Sequence, residues 1–320
     1  MARVLLTGGA GFIGSSVARA LLERGDEVVV LDKLTYAGRR EHLEGLDLEL
    51  VVGDICDAPL VARLISGMDA VVHLAAESHV TRSIVDASPF IRTNIEGTRV
   101  IVEAAVEAGV ERIVHMSTDE VFGSACSGEA FGVDDPHAPS NAYAASKSSA
   151  EAIIQSMRHT HGARVNIVRC TNNYGPRQHL EKAIPCWASH AIAEEPIPIH
   201  GDGTAQRDWL HVGDMARGIA MILDGGELDR TYHFSGGTSL PNRSVAEKIA
   251  EICGGGEVFS EADRPGQDRR YALDDSYTRE VLGWRPLVEF SRGLEETVEW
   301  YRGTLDVGGV NDADLSSTAK

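Results

Sequence analysis

The chain is poor in cysteine. Cys56, Cys126, Cys170, Cys186 and Cys253 are odd in number, widely spaced and never in a Cys-x-x-Cys pair. That spacing argues against a disulfide framework and a zinc site, and it fits a reducing cytoplasm with no structural metal. Long apolar runs are also missing. None approaches the ~18 residues of a membrane span, and the opening MARVLLTGGAGFIG reads as a strand and turn rather than a signal peptide. Basic charge is scarce: 30 Lys and Arg against 48 Asp and Glu leave a net charge of −18. A surface of that sign repels a phosphate backbone and excludes general nucleic-acid binding, but not a small anion held by a few local donors. Internal repeats and low-complexity stretches are absent as well.

What is present suits a folded enzyme-sized unit. Hydrophobic residues make up 43% of the 320 and charged residues 24%, enough for a sizeable core. Short apolar strands are expected at 3–6, 27–32, 48–54, 70–76, 112–118 and 164–170. Helical periodicity falls between them at 12–23, 58–66, 91–108 and 141–160, the last with Ser140 as N-cap. Strands alternating with helices predict an α/β fold, a doubly wound parallel sheet of the Rossmann type. After residue 170 glycine and proline become frequent, with ordered loops at 173–176, 200–203 and 264–266 and helices at 244–253 and 293–301. The expected organisation is a nucleotide-binding domain over 1–170, a smaller C-terminal substrate-binding lobe over 171–302 that interleaves with it, and a disordered tail over 303–320.

Gly8, Gly11 and Gly14 lie in TGGAGFIG, between the first strand and the first helix, with Phe12 and Ile13 in the same turn. Glycines there let the backbone approach a pyrophosphate, and the helix start supplies free N–H donors. Asp32 closes the second strand, where a carboxylate accepts from an adenosine ribose and repels a 2′-phosphate, favouring NAD over NADP. Lys33 beside it partly offsets that preference. Asp54 and Ile55 close the third strand and Leu74, Ala75 and Ala76 the fourth, along the same cofactor path.

Tyr143 and Lys147 are four apart in YAASK and share one helix face. An ammonium near a phenol lowers its pKa and makes a base for a sugar hydroxyl. Ser117, Thr118, Asp119 and Glu120 follow the fifth strand, at the end of the sheet where such folds carry their chemistry. Two adjacent carboxyls there can be held apart in protonation, one as acid and one as base.

TGGAGFIG, Asp32, LAAESHV, STDEVFG, YAASK and NNYGP in this order resemble the extended short-chain dehydrogenase/reductase family. STDEVFG with LDKLTYAG, EKAIP, RDWLHVGD and DRPGQDRRYALD resembles its nucleotide-sugar 4,6-dehydratases, over about residues 2–302. The resemblance implies an NAD-dependent lyase that converts dTDP-glucose or a related NDP-glucose to the 4-keto-6-deoxy sugar, with NAD regenerated in place. It implies that Tyr143 deprotonates the C4 hydroxyl, Lys147 lowers the Tyr pKa and binds the nicotinamide ribose, and Thr118 bonds the C4 oxygen. Glu120 then removes the C5 proton while Asp119 protonates the leaving C6 hydroxyl. Cys170 and Asn173 lie by the cofactor. Ser78, Asn173, Glu181, Lys182, Asn242, Arg207 and Arg264 are implied in substrate binding, the two arginines neutralising the diphosphate. A homodimer through a four-helix interface is implied too.

The alternatives are a nucleotide-sugar 4-epimerase or UDP-glucuronate decarboxylase, which use the Tyr and NAD but not the acid pair, and a non-catalytic NAD-binding regulator. The match departs from the family pattern in three places. Arg177-Gln178-His179-Leu180 replaces an aromatic-containing stretch before Glu181. His200, in Pro198-Ile199-His200-Gly201, stands where a Tyr would stack on thymine. Gln267 replaces a His. These departures raise the expectation of a base or glycosyl group other than that of dTDP-glucose.

Overall fold

The computed structural model describes residues 1–263 and 265–308. Its strands are β1 (Arg3–Thr7), β2 (Glu27–Asp32), β3 (Glu49–Val52), β4 (Ala70–His73), β5 (Arg112–Met116), β6 (Val165–Cys170), β7 (Asn172–Tyr174), β8 (Ile197–His200), β9 (Gln206–His211), β10 (Thr231–Phe234), β11 (Ser239–Pro241) and β12 (Val258–Glu261). The helices are α1 (Phe12–Glu23), α2 (Ala58–Ile65), α3 (Val80–Val85), α4 (Ser88–Phe90), α5 (Thr98–Glu107), α6 (Ala142–His161), α7 (Ala183–Ile192), α8 (Val212–Gly225), α9 (Asn242–Cys253), α10 (Ser276–Leu282) and α11 (Phe290–Gly308).

Seven strands form one parallel sheet in the order β3-β2-β1-β4-β5-β6-β10. Its strands are apolar on both faces because helices cover both. In β1, Val4 and Leu6 join the core beneath α1 and α8, whereas Leu5 points to the opposite core with residues of α2, α5 and α6. β2 repeats the alternation, with Val28 and Val30 on one side and Val29 and Leu31 on the other. A third core joins α7, α9 and α11 around Trp187, Trp209, Ile249 and Leu294, and this is the centre of the smaller lobe.

The two units interleave. After β9, the chain returns to the main sheet: Met215, Ala216, Ile219 and Ile222 of α8 pack in the core that includes Val17 and Leu21 of α1, and β10 pairs with β6. The second-half boundary therefore does not separate the sheet from the lobe.

Several local expectations are corrected. The helix expected over 91–108 is a π turn (Ile91–Gly97) followed by α5. The N-cap of α6 is Asn141, whose side chain accepts from Ala144 N at 2.9 Å. Ser140 instead donates to Asp268 Oδ2 at 2.6 Å. The expected loop at 173–176 contributes to β7. The last helix runs to Gly308, past the expected start of the tail, because Phe290, Leu294, Val298 and Tyr301 pack its inner face into the lobe core. Residues 309–320 of that expected tail, and Arg264, lie outside the described residues.

Candidate active site

A cavity of about 310 Å³ opens along the C-terminal ends of the sheet strands. The glycine turn forms its floor. Gly8 has φ 72, and a Cβ there would stand 2.7 Å from Ala75 N; one at Gly14 would stand 2.0 Å from Gly8 O. Only bare backbone fits. The N-cap of α1 is Gly11, with no side-chain capping bond, so the first-turn N–H groups of the helix have no side-chain acceptor. Gly8, Gly11, Phe12, Ile13 and Gly14 all line the cavity. This is a cradle for a pyrophosphate, and a dinucleotide fits it.

Asp32 is buried and accepts Ala10 N at 2.9 Å and Leu34 N at 2.8 Å, one on each carboxylate oxygen. Burial nevertheless pushes its pKa up. Each oxygen retains acceptor capacity for a ribose hydroxyl. Lys33 Nζ bonds Asp54 Oδ2 at 2.8 Å, so its charge is turned to Asp54 and away from Asp32. Ile55, Leu74, Ala75, Ala76, Cys170 and Asn173 line the same channel. Burial pushes the Cys170 thiol up to about 12, which makes it a packing residue rather than a nucleophile.

At the other end of the channel stand Thr118, Asp119, Glu120, Tyr143 and Lys147. Thr118 caps a 3₁₀ turn (Asp119–Phe122), accepting Glu120 N at 3.2 Å, and it also donates to Asp119 Oδ1 at 3.2 Å. That turn directs both carboxyls to the cavity. They differ in surroundings. Asp119 Oδ2 is buried without a hydrogen-bond partner, and burial followed by the Glu120 charge holds the Asp119 carboxyl well above its usual range. Glu120 is also raised by burial, but Asn141 Nδ2 donates to it at 3.3 Å, and Arg207 and Lys182 oppose the shift.

The Tyr143 phenol shares this end of the cavity with the acid pair. Burial, then the Glu120 charge, holds the phenol well above its ordinary value, and the Thr118 hydrogen bond only partly opposes this. Lys147 Nζ lies 3.5 Å from His115 Nε2. His115 belongs to a buried polar row: β-register places Thr7, His73 and His115 side by side on β1, β4 and β5. Thr7 Oγ1 is 2.7 Å from His73 Nδ1, and Thr98 Oγ1 is 3.0 Å from His73 Nε2. One turn beyond Lys147, Glu151 pairs with buried Arg169 at 2.7 Å and accepts from Ser117, which pins α6 to β5 and β6. Beside Lys147 on α6, Ser146 Oγ accepts from Asn94 Nδ2 of the π turn at 2.8 Å, and the same amide donates to Glu77 O at 2.9 Å.

Among the substrate candidates, Ser78, Asn173, Glu181 and Lys182 line the main cavity. Arg207 and Gln267 line a second, smaller one of about 60 Å³, which shares Glu120. Arg207 lies over the Tyr271 ring at 4.3 Å and donates to Asp268 O at 2.9 Å. Pro198, His200 and Asn242 are brought to neither cavity. Pro198 O accepts from Trp187 Nε1, and His200 ends the two-stranded β8–β12 sheet, half-exposed and 4.0 Å from Glu261. Asn242 starts α9 with its backbone N–H on Ala205 O. Sequence reasoning missed Glu77, Asn141 and Tyr271, all cavity-lining, and named Gln178 and His179, which also line the cavity, only as departures from the family pattern. Their signal lay in the motifs themselves, since each falls within or beside a segment already singled out.

No group of three or more His, Cys, Asp or Glu residues that could hold a metal occurs among the described residues, and no described helix is long and apolar enough to cross a membrane.

The NAD dependent epimerase/dehydratase family model matches residues 4–234. The dTDP-glucose 4,6-dehydratase of Streptomyces niveus is 46% identical over 94% of this chain and 93% of its own. The dTDP-glucose 4,6-dehydratase DesIV from Streptomyces venezuelae, solved with NAD bound, superposes with a TM-score of 0.92 at 46% identity, covering 95% of this chain and 98% of that one. A UDP-glucose 4-epimerase from Thermotoga maritima, solved with UDP-glucose, gives 0.90 at 29% identity over 95% and 99%. With its glycine cradle, Tyr143–Lys147 helix and strand-end acid pair, the chain belongs to the NAD dependent epimerase/dehydratase family.

Proposed function

We propose that this protein is an NAD-dependent nucleotide-diphosphate-glucose 4,6-dehydratase, acting on dTDP-glucose or a related NDP-glucose. The observation that carries the reading is the unequal pair Asp119 and Glu120 beside Tyr143. Eliminating water across C5 and C6 needs one group that gives a proton and one that takes one. Asp119, enclosed and lacking a partner on Oδ2, holds its proton. Glu120, supported by Asn141, is the better anion. A 4-epimerase or decarboxylase on this fold has no step that uses such a pair, and a non-catalytic regulator has no use for the whole set.

Bound in the channel, NAD would supply a reversible hydride acceptor and a positive charge. Tyr143 takes the proton of the C4 hydroxyl, with Thr118 bonded to the same oxygen. The resulting 4-keto group acidifies C5. Glu120 removes the C5 proton, and Asp119 protonates the departing C6 hydroxyl. With the cofactor bound, the hydride taken from C4 would be returned at C6, so the net change would be loss of one water. Gly8, Gly11 and Gly14 would hold the pyrophosphate, Asp32 the adenosine ribose, and Lys147 the nicotinamide ribose. Arg207 faces the substrate diphosphate, which is how a chain of charge −18 holds an anion.

The product made from a panel of dTDP-, UDP-, CDP- and GDP-glucose, followed by mass spectrometry and NMR, tests the reading. Loss of water with a 4-keto-6-deoxy signature is expected. An isomer of unchanged mass would replace the dehydratase with an epimerase. The relative kcat/KM values decide the base, and a clear dTDP preference removes any specificity role from Gln267.

We also infer a cytoplasmic homodimer. Ile84 and Val85 of α3 and Ile91 of the π turn are exposed in one short stretch of chain that packs on α5 and α6, and a second copy would cover them. Val85→Arg is expected to shift the sedimenting species from dimer to monomer; a parent that sediments as a monomer overturns this arrangement.

A further inference from the structure

The segment 177–182, between β7 and α7, departs from the family pattern over its first four residues and is fastened to the sheet domain at both ends. Arg177 adopts φ 72, a left-handed conformation that a non-glycine residue holds only when its surroundings require it. Its guanidinium reaches α1, with Nε 3.2 Å from Ser15 Oγ and Nη2 3.3 Å from Ser16 Oγ, directly after Gly14. At the other end Lys182 Nζ donates to Ser78 O at 2.8 Å. Between them the Glu181 carboxylate is almost fully enclosed, 3.3 Å from Arg82 Nη2 and hydrogen-bonded to Tyr36. The Arg82 guanidinium lies flat over the Tyr36 ring at 3.8 Å, and His179 meets that ring edge-on at 5.4 Å.

The sheet order gives these contacts a direction. Tyr36 follows β2, and Ser78 and Arg82 follow β4, and these strands flank β1, which leads into the glycine turn. Segment 177–182 touches both flanks and the start of α1 as well. It therefore crosses the end of β1, with Gln178 and His179 lining the cavity whose floor is that turn.

We propose that residues 177–182 form a strap across the dinucleotide channel, and that Arg177, Tyr36 and Arg82 are positioning residues that hold the cofactor in place between turnovers. The proposal rests on reading the cavity as an NAD site. A reaction that returns its hydride to the same sugar has no need to exchange NAD, and a strap fixed by side chains on both flanks slows its escape. Such fastening acts on the release rate more than on the entry rate.

The experiment loads the full-length protein with radiolabelled NAD and follows release after a chase of unlabelled NAD, for the parent, Arg177→Ala and Tyr36→Phe. Release from Arg177→Ala is expected to be about tenfold faster, equivalent to losing one good hydrogen-bonded contact, and from Tyr36→Phe about threefold faster. The melting temperature of the NAD-free protein is read alongside. A purely structural segment would lower it and leave release unchanged. Release from Arg177→Ala within about twofold of the parent overturns the strap. If that variant is insoluble, the same criterion applies to Tyr36→Phe. A parent that binds no NAD overturns the reading of the cavity itself, and with it the strap.

Discussion

Lys147 Nζ stands 3.5 Å from His115 Nε2, and both side chains are buried. Burial lowers the Lys147 pKa to about 8, although the Glu151 charge opposes the shift, and it holds His115 well below its ordinary range. The lysine's folded pKa is thus below its unfolded value. Its charge weighs on the folded state below pH 8, and that penalty is relieved as pH rises from about 8 towards 10.5. Lys147→Met is expected to melt higher than the NAD-free parent at pH 7, by the equivalent of about 1–3 kcal/mol, with the gap closing towards pH 10. A gap independent of pH would assign the gain to packing alone. Turnover is expected to be lost in the same variant.

The acid pair makes a prediction of the opposite kind. Asp119 keeps its proton in the folded state at pH values where the unfolded chain has released it, so its contribution destabilises progressively as pH rises above 3.8. Asp119→Asn mimics the protonated form and is expected to flatten the fall of stability between acid and neutral pH. Its turnover should drop by about 10²–10⁴-fold, the scale of a lost general acid. Glu120→Gln should lose turnover on the same scale while absorbance from reduced cofactor still rises, because oxidation at C4 precedes the step it blocks. Loss of that absorbance too would move Glu120 from the elimination to the first step.

Glu151 and Arg169 form a buried pair whose members also hold Ser117, His137 and Val133 O. Glu151→Ala leaves an enclosed guanidinium without its counter-charge and is expected to cost about 3–5 kcal/mol in urea denaturation. Removing both charges, as Glu151→Gln with Arg169→Met, should cost less than the single change. A double variant as unstable as Glu151→Ala would show that packing, not the orphaned charge, sets the loss.

The strand and helix periods of the first half were legible because each element is long and apolar on a regular spacing. α1 and β2 fall on the residues expected. The second half was less so. β7 and β11 span three residues each, too few for a period to register, and α7 carries Pro185 in its first turn. That β10 joins β6 depends on a pairing across some sixty residues that no local pattern encodes. At the site, the motifs placed Tyr143, Lys147, Thr118, Asp119 and Glu120 together. They did not disclose that Lys147 turns to His115, because the spacing of two residues on a helix says nothing about what lies behind it. Segment likeness likewise named His200 and Asn242 without saying which way their strand and helix would face.

The π turn at Ile91–Gly97 gives one stretch of backbone two audiences. Ile91 looks outward, while Asn94, three residues on, grips Glu77 and Ser146, the residue before Lys147. Whatever settles on the outer side of that turn also narrows the freedom of the inner one. The proposed second copy, seated on the outer side, would therefore act on the alignment of α6 as well, and a change made on either side of the turn is expected to be felt on both.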